Sequence, residues 1–292
     1  MRFLVPPLMA LALAMPLRGD EFIDDAAIKA DFEKRLTALF ERGGLPTGST
    51  MAEQLSDAPL TTTIPLPPAP LNHNAAPLPE DTTEFPKVHD QARAATLVLG
   101  HLYLCGKCEK YHGNLAGGVL LSADGLAITN HHVLDFREAI VFGAMTSTGE
   151  VFAIEEVLAA SKSDDVALVR LRAASGLPHQ SIQAGIQTGE EVFVISHPDG
   201  HFYSLTRGYV SRRYLTAKDR VPRLQITADF AKGSSGAGIF NRRGELAGLV
   251  TSTNSIYYNE SEGKKENLQM VVKSGVPAES ISKLFQAPAT AP

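Results

Sequence analysis

Short apolar runs separated by turn residues fill the chain from about residue 88 to residue 285. Runs of this length that are rich in β-branched residues and bounded by Gly, Asp, Asn and Pro are typical of β-strands. Two of the turns, 122–125 and 241–244, end in a glycine that can adopt the positive φ of a hairpin. We predict strands at 96–104, 118–121, 126–129, 139–142, 151–158, 166–171, 191–196, 206–211, 224–228, 237–240, 246–251 and 268–272. About a dozen strands, with one helix near 277–284, predict an all-β fold built from barrels.

The N-terminal segment, residues 1–19, has the composition of a secretory signal peptide. Arg2 is followed by an apolar run that ends at Leu17. This run is too short and too interrupted by proline to span a bilayer, and no other segment has the roughly 18 consecutive apolar residues of a spanning helix. We therefore expect an exported protein, periplasmic or secreted, without a spanning segment in the mature chain. An uncleaved membrane anchor is the alternative.

Two further segments precede the predicted strands. Residues 20–42 predict a short amphipathic helix that has Asp24 or Asp25 at its N-cap and docks on the surface of its own domain. Residues 43–87 contain 9 of the 18 prolines of the chain, which predicts an extended linker that does not pack a core. The predicted boundaries are therefore 1–19, 20–42, 43–87, 88–286 for the strand-rich domain and 287–292 for a tail.

The charge of the chain argues against nucleic acid as a partner. The 292 residues include 27 Lys and Arg against 32 Asp and Glu, a formal net charge of -5. No basic block is interleaved with aromatic residues in the way that tracks phosphates. The composition, 44% hydrophobic and 20% charged, is that of a globular protein with a sizeable core.

Three segments carry candidate chemistry, each at the junction of an apolar strand and a turn. They supply, in chain order, a histidine (His131 or His132), an aspartate (Asp164 or Asp165) and a serine (Ser235). A serine hydroxyl is a weak nucleophile near neutral pH, so it needs an imidazole to accept its proton and a carboxylate to orient that imidazole. The pattern predicts nucleophilic catalysis by a His, Asp and Ser set.

The segment 117–134, which ends in Thr-Asn-His-His-Val-Leu, resembles the trypsin-like serine peptidases of the Deg/HtrA type. Their Thr-Asn-x-His-Val pattern implies that His132 is the catalytic base and leaves His131 at the variable place, where we expect it exposed near the substrate cleft. Their Asp-(Ile/Val)-Ala-Leu segment matches Asp165, which leaves Asp164 as a solvated turn or cap residue. Their Gly-x-Ser-Gly-Gly motif stands here as Gly-x-Ser-Gly-Ala and implies that Ser235 is the nucleophile.

The resemblance extends from near residue 96 to residue 284. It implies two perpendicular six-stranded antiparallel barrels with the catalytic residues in the cleft between them, and a C-terminal helix. Such proteins often carry a C-terminal PDZ domain, which we do not expect here. Gly233 permits the tight turn that would aim its own N–H and that of Ser235 at a developing oxyanion.

The same resemblance suggests which residues would contact a substrate. Asp229 lies at the place of the primary-pocket floor in trypsin-like enzymes, where a carboxylate favours Lys or Arg. Deg-type enzymes have an apolar or small environment there instead, and Lys232 could neutralise Asp229, so both preferences stay open. A pocket wall that also pairs with the substrate backbone as an added strand is expected from Leu249, Val250, Thr251 and Ser252.

The only two cysteines, Cys105 and Cys108, lie in a Cys-Gly-Lys-Cys sequence with His101 and His112 nearby. In an exported protein we favour a small local disulfide between them. A metal site is the open alternative, because two thiols alone do not complete a tetrahedral zinc site and the histidines would have to converge on them. A redox role is less favoured, since such motifs normally open a helix.

Together these observations predict a serine endopeptidase that acts on protein or peptide substrates through an acyl-enzyme and needs no cofactor. A catalytically silent or latent peptide-binding module on the same fold is the first alternative. A metal-dependent protein built on the cysteine and histidine cluster is the second, and it leaves the His, Asp and Ser pattern unexplained.

Overall fold

Two closed barrels of six strands each form the body of the protein. The computed structural model describes residues 22–67, 85–261 and 263–286, so the predicted signal peptide, much of the proline-rich segment and the tail lie outside it. The helices of the described residues are α1 (Asp25–Glu41), α2 (Gly48–Asp57), α3 (Phe85–Ala95), α4 (His131–Leu134) and α5 (Ala278–Ser282). The strands are β1 (Thr96–Leu104), β2 (Tyr111–Leu120), β3 (Leu126–Thr129), β4 (Val141–Met145), β5 (Val151–Ser161), β6 (Val166–Leu171), β7 (Glu191–Ser196), β8 (Ser204–Leu215), β9 (Pro222–Ile226), β10 (Gly238–Asn241), β11 (Leu246–Ser261) and β12 (Lys264–Pro277).

Each barrel uses consecutive strands of the chain. The first has the order β1-β2-β3-β6-β5-β4 and the second β10-β11-β12-β9-β8-β7, and all neighbours are antiparallel. The predicted fold class, two six-stranded antiparallel barrels followed by a C-terminal helix, is therefore confirmed. β11 and β12 continue beyond their predicted lengths as a long hairpin.

The barrel interiors are filled by the apolar side chains of the strands. Leu97, Ile128 and Phe142 are fully buried in the core that includes the first barrel, and Val194 and Ile239 are fully buried in the core of the second. Burial of a Leu, Ile or Phe side chain contributes about 1.5–3 kcal/mol relative to its exposed state. The packing of these interiors fixes the positions of the strand ends that carry the candidate site.

Helix α1 packs on the outside of the first barrel. Asp24 caps it by accepting a hydrogen bond from the backbone N–H of Ala27 at 2.9 Å, as the sequence suggested. Phe32 and Leu36 are fully buried, and Leu36 lies so close to Gly143 of β4 that a Cβ there would come within 2.6 Å of it. The expectation that this helix docks on its own domain is confirmed.

Helix α2 lies within the segment predicted to be a linker without a core. Met51 and Leu55 are buried against the first barrel, and the Gln54 side-chain oxygen accepts a hydrogen bond from the Val157 N–H at 2.9 Å. Pro46 and Pro59 flank this helix instead of interrupting it. The linker prediction is wrong for residues 48–57, because it relied on the proline density of the whole segment, whereas a short helix fits between two of the prolines.

Of the helices the structure describes, none has the length and apolarity needed to cross a membrane.

Candidate active site

His132 and Asp165 meet at the end of the first barrel. β3 leads directly into α4, which carries His132, and Asp165 immediately precedes β6, the neighbour of β3. The His132 Nδ1 lies 3.0 Å from each carboxylate oxygen of Asp165. The backbone N–H of His132 also donates to Asp165 Oδ1 at 3.1 Å. A proton on Nδ1 satisfies this contact and leaves Nε2 with a free lone pair, which is the tautomer a general base needs.

The backbone of Asp165 adopts an uncommon conformation that aims its side chain at His132. Its φ is 63°, in the left-handed region, which an aspartate tolerates better than most residues. The Asn130 side chain donates to the Asp165 carbonyl at 2.9 Å, and the Thr251 hydroxyl donates to Asp165 Oδ2 at 2.5 Å. Since Thr251 belongs to the second barrel, this carboxylate joins the two barrels.

The Asp165 carboxylate is held in its ionised form. Burial opposes ionisation, but the hydrogen bonds and charge of His132, together with the Thr251 hydroxyl, outweigh it and lower the pKa of Asp165. An ionised carboxylate on Nδ1 can stabilise an imidazolium that forms when Nε2 accepts a proton.

The neighbouring histidine and aspartate have other roles. His131 is buried, with 7% of its surface exposed, and burial lowers its pKa. The expectation that it would be exposed near the cleft is therefore wrong, because α4 packs against α2 and His131 lines a cavity together with Ala52 and Leu55 of that helix. Asp164 accepts hydrogen bonds from the Ser161 hydroxyl at 3.1 Å and the Ser280 hydroxyl at 2.7 Å, so it anchors α5 instead of being a purely solvated turn residue.

The loop that carries Ser235 is attached to the first barrel. The Gly117 N–H donates to the Ser235 carbonyl at 2.7 Å. Gly236, with φ of 80°, approaches the end of β3 so closely that a Cβ would come within 2.3 Å of the Thr129 hydroxyl. Ser235 is thereby brought to the strand end that carries His132. Within the described part of the chain its hydroxyl makes no direct hydrogen bond to His132, and such contacts often tighten only when substrate binds.

A tight turn orients the Gly233 N–H. The Ser234 N–H donates to the Ala231 carbonyl at 3.1 Å, and Gly233 has φ of 92°, as a type II turn requires. The Lys232 carbonyl accepts a hydrogen bond from the Asp199 N–H at 2.7 Å. In a trans peptide the N–H points opposite to the carbonyl, so the Gly233 N–H points away from Asp199. Among the described residues neither this N–H nor that of Ser235 has a protein acceptor.

His197 supports this turn and was not identified from the sequence. Its Nδ1 accepts from the Tyr203 N–H at 3.1 Å, so its Nε2 carries the proton and donates to the Leu97 carbonyl of β1 at 3.1 Å. Burial lowers the pKa of His197 to about 4. Its carbonyl oxygen would lie 2.7 Å from a Cβ at Gly233. The neutral imidazole thus ties β1 to the backbone that packs against Gly233.

The residues expected to contact a substrate differ in exposure and in whether their polar groups are already hydrogen-bonded within the protein. The Asp229 side chain is 82% exposed and pairs with Lys273 at 3.3 Å, so Lys273, and not Lys232, neutralises it. Leu249 and Val250 are buried at 0% and 1% exposure, so their side chains pack into the interior and offer no surface to a substrate. The Val250 N–H and carbonyl are also both used, by Ala237 and Gly236 respectively. The Thr251 hydroxyl is also already used, because it donates its hydrogen bond to the Asp165 carboxylate.

Ser252 differs from these residues because its side chain is exposed. It lies on β11 three residues beyond Leu249, the last residue that pairs with β10. At Ser252, β11 pairs with β12 alone among the described strands. This leaves one edge of β11 free beside the Ser235 loop.

The cysteines lie away from this site, in the loop that joins β1 to β2. Both thiols are free, with the Sγ atoms 3.5 Å apart, so the predicted disulfide is not formed in the structure. His112 Nε2 lies 3.1 Å from Cys108 Sγ. His101 does not join them, since it is buried and stacks on the Phe136 ring at 4.5 Å between centroids.

Two antiparallel six-stranded barrels define the trypsin-like class of fold, and the His132–Asp165 pair and the loop that carries Ser235 lie where the two barrels meet. Residues 116–249 match the trypsin-like peptidase domain family. A probable periplasmic serine endoprotease, DegP-like, from Ectopseudomonas mendocina (strain ymp) is 32% identical over 156 residues, which cover 51% of this chain and 31% of that protein. The serine endoprotease DegS of Escherichia coli (strain K12) is 31% identical over 194 residues, which cover 62% of this chain and 53% of DegS.

A solved structure has the same fold. The HtrA-type protease AlgW with tripeptide superposes with a TM-score of 0.54 at 20% identity, over 67% of this chain and 60% of that chain. The chain spans about a third to a half of the length of the curated relatives named above. It carries a trypsin-like peptidase domain and is homologous to the Deg/HtrA serine endoproteases.

Proposed function

We propose that this protein is a serine endopeptidase in which Ser235 is the nucleophile, His132 the general base and Asp165 the residue that orients and stabilises the imidazole. The observation that carries the proposal is the set of hydrogen bonds on Asp165. Its carboxylate accepts from the ring and the backbone N–H of His132 and from the hydroxyl of Thr251 in the second barrel. A surface ion pair would not require donors from both barrels on one carboxylate that is only 16% exposed.

The chemistry follows from these positions. The Ser235 Oγ attacks the peptide carbonyl carbon while its proton passes to His132 Nε2, and the carbonyl oxygen becomes an oxyanion. The N–H groups of Gly233 and Ser235 would donate to that oxygen. His132 then gives its proton to the departing amine, which leaves an acyl-enzyme. A water molecule then attacks the carbonyl carbon of the acyl-enzyme while one of its protons passes to His132 Nε2. His132 returns this proton to the departing Ser235 oxygen, which releases the carboxylic acid product and restores the free serine.

Substrate binding is proposed at the free edge of β11. An extended peptide can add a strand there, with main-chain hydrogen bonds to residues from Ser252 onward. The exposure of the Asp229 carboxylate and its pairing with Lys273 favour a small or apolar side chain over Lys or Arg in the primary pocket. Protein or peptide substrates are supported by the endoprotease names of the relatives. No step of this mechanism calls for a cofactor.

Export is part of the proposal. The sequence of residues 1–19 and the periplasmic designation of the DegP-like relative support it. We further propose that residues 88–286 form the peptidase domain, with α1 and α2 attached to it.

The proposal is tested by hydrolysis of an unfolded protein substrate, with the product ends identified by mass spectrometry. Wild type is expected to cleave internal peptide bonds and to show a burst of the first product when acylation outpaces deacylation. Ser235→Ala should abolish cleavage, whereas Ser234→Ala, at the adjacent serine, should retain it. Cleavage that survives in Ser235→Ala would refute the assignment of the nucleophile. Peptide binding without cleavage by wild type would favour a latent or silent module.

A further inference from the structure

A cluster of three potential metal ligands lies in the loop between β1 and β2. Cys105 and Cys108 belong to the loop, and His112 belongs to β2, where it pairs with Tyr103 across the hairpin. Their ligand atoms all lie within 4.8 Å of one another. Gly106, with φ of 70°, permits the reversal that brings the two thiols to the same side.

The spacing of the ligand atoms is close to that of a tetrahedral zinc site. Zinc bonds of about 2.3 Å to sulfur and about 2.0 Å to nitrogen give tetrahedral edges of about 3.8 Å between two sulfurs and about 3.6 Å between sulfur and nitrogen. Here the two Sγ atoms are 3.5 Å apart, and Cys108 Sγ is 3.1 Å from His112 Nε2. Small movements of these side chains, of which Cys108 is exposed and the other two are half-buried, would open the cluster to the required edges.

A disulfide does not account for the third member of the cluster. Two sulfurs about 2.05 Å apart would satisfy both cysteines and leave His112 without a role. The His112 Nε2 instead lies 3.1 Å from the Cys108 Sγ, close enough for the imidazole and both thiols to reach one metal ion placed between them. Thiolate and imidazole ligands together suit zinc, whereas calcium and magnesium require oxygen ligands.

We propose that Cys105, Cys108 and His112 bind one Zn²⁺ ion, with water as the fourth ligand. No further Cys, His, Asp or Glu atom joins the cluster within the residues that the structure describes, and the loop is exposed, which gives water access to the fourth position.

The site has a structural consequence for the neighbouring helix. Next to His112, the Gly113 N–H donates to Glu33 Oε1 of α1 at 2.8 Å, and the Tyr111 ring packs edge-on against Phe40 of α1, with centroids 6.1 Å apart. Bound zinc would link the loop to β2 at the point where β2 contacts α1. A ligand that binds only the folded state stabilises it, so zinc should raise the melting temperature.

The test uses the full chain, reduced and stripped of metal under anaerobic conditions. It is titrated with Zn²⁺ against a chromophoric chelator, and with Co²⁺ as a spectroscopic probe. Wild type should bind one equivalent of Zn²⁺, and Co²⁺ should show the thiolate charge-transfer band and the intense d–d bands of tetrahedral coordination. His112→Ala should weaken binding by about a hundredfold or more, beyond the loss typical of an outer-shell partner. The exposed His201→Ala is the matched control and should bind as wild type does.

A second variant separates ligand loss from misfolding. His112→Cys replaces the nitrogen ligand by a thiolate and should restore zinc binding and the zinc-dependent rise in melting temperature. The proposal is overturned if reduced wild type binds no Zn²⁺, or if His112→Ala binds it equally well. It is also overturned if protein purified in the presence of zinc carries a Cys105–Cys108 disulfide and no metal. These readouts do not require peptidase activity.

Discussion

Acidification is expected to destabilise the protein through His197. This histidine is buried and neutral, and the Tyr203 N–H points at its Nδ1. Protonation of Nδ1 would set two N–H groups against each other inside the protein. Burial accordingly lowers the pKa of His197 from 6.5 to about 4. Between these two values the unfolded chain binds more protons than the folded protein, so stability is fully present above about pH 6.5 and is lost as the pH falls toward 4.

The magnitude follows from the same two values. A difference from 6.5 to about 4 corresponds to about 3 kcal/mol in the free energy of unfolding. In the middle of this window, one proton changes the free energy by about 1.4 kcal/mol per pH unit. His101, whose pKa burial also lowers to about 4, adds a parallel contribution that a His197 variant retains.

The perturbation that isolates this effect is His197→Asn. The amide oxygen can still accept from the Tyr203 N–H, but the side chain does not titrate. Loss of the hydrogen bond to the Leu97 carbonyl should cost about 1 kcal/mol at pH 7.5. Urea unfolding from pH 7.5 to pH 4.5 should then give a flatter stability profile for the variant than for wild type. His201→Asn, at an exposed histidine, is the control and should keep the wild-type slope. Parallel profiles for wild type and His197→Asn would refute the reasoning.

Three further predictions concern the proposed peptidase activity. Thr251→Val removes a donor to the Asp165 carboxylate and should lower kcat/KM by about thirtyfold, equivalent to about 2 kcal/mol, while Thr251→Ser retains activity; equal loss in both would contradict the role of the hydroxyl. Gly233→Ala places a Cβ 2.7 Å from the His197 carbonyl and should reduce kcat about a hundredfold with an unchanged KM, measured in steady-state assays. Asp229→Asn should leave the cleavage-site profile of a peptide library unchanged; a preference for Lys or Arg that this variant abolishes would contradict it.

The barrels could be predicted from the sequence because their strands are short, apolar and bounded by turn residues. β3 and β6 illustrate this, since both are almost completely buried and begin after polar turns. The distal part of the β11–β12 hairpin lies largely on the surface, with Ile256, Leu268 and Met270 exposed, so no burial pattern marks its length. Helix α2 was not predicted for a different reason. The prolines that flank it give the whole segment the composition of a linker.

The candidate site was only partly accessible from the sequence. The choice of His132 and Asp165 over their neighbours depended on a resemblance, and the hydrogen bonds between them agree with that choice. Thr251 and His197 were missed as supporting residues because their partners lie 86 and 100 positions away in the chain. Contacts between the two barrels leave no local signal in the sequence.

The most direct test of the peptidase proposal is covalent labelling with a fluorophosphonate, with the adduct located by peptide mass spectrometry. A fluorophosphonate reacts with a serine only when an assembled base activates it. We predict a single adduct on Ser235 in wild type, and its loss in His132→Ala. An unlabelled Ser235 in folded wild type, with or without peptide present, would contradict the proposal that this site is an assembled serine-hydrolase centre.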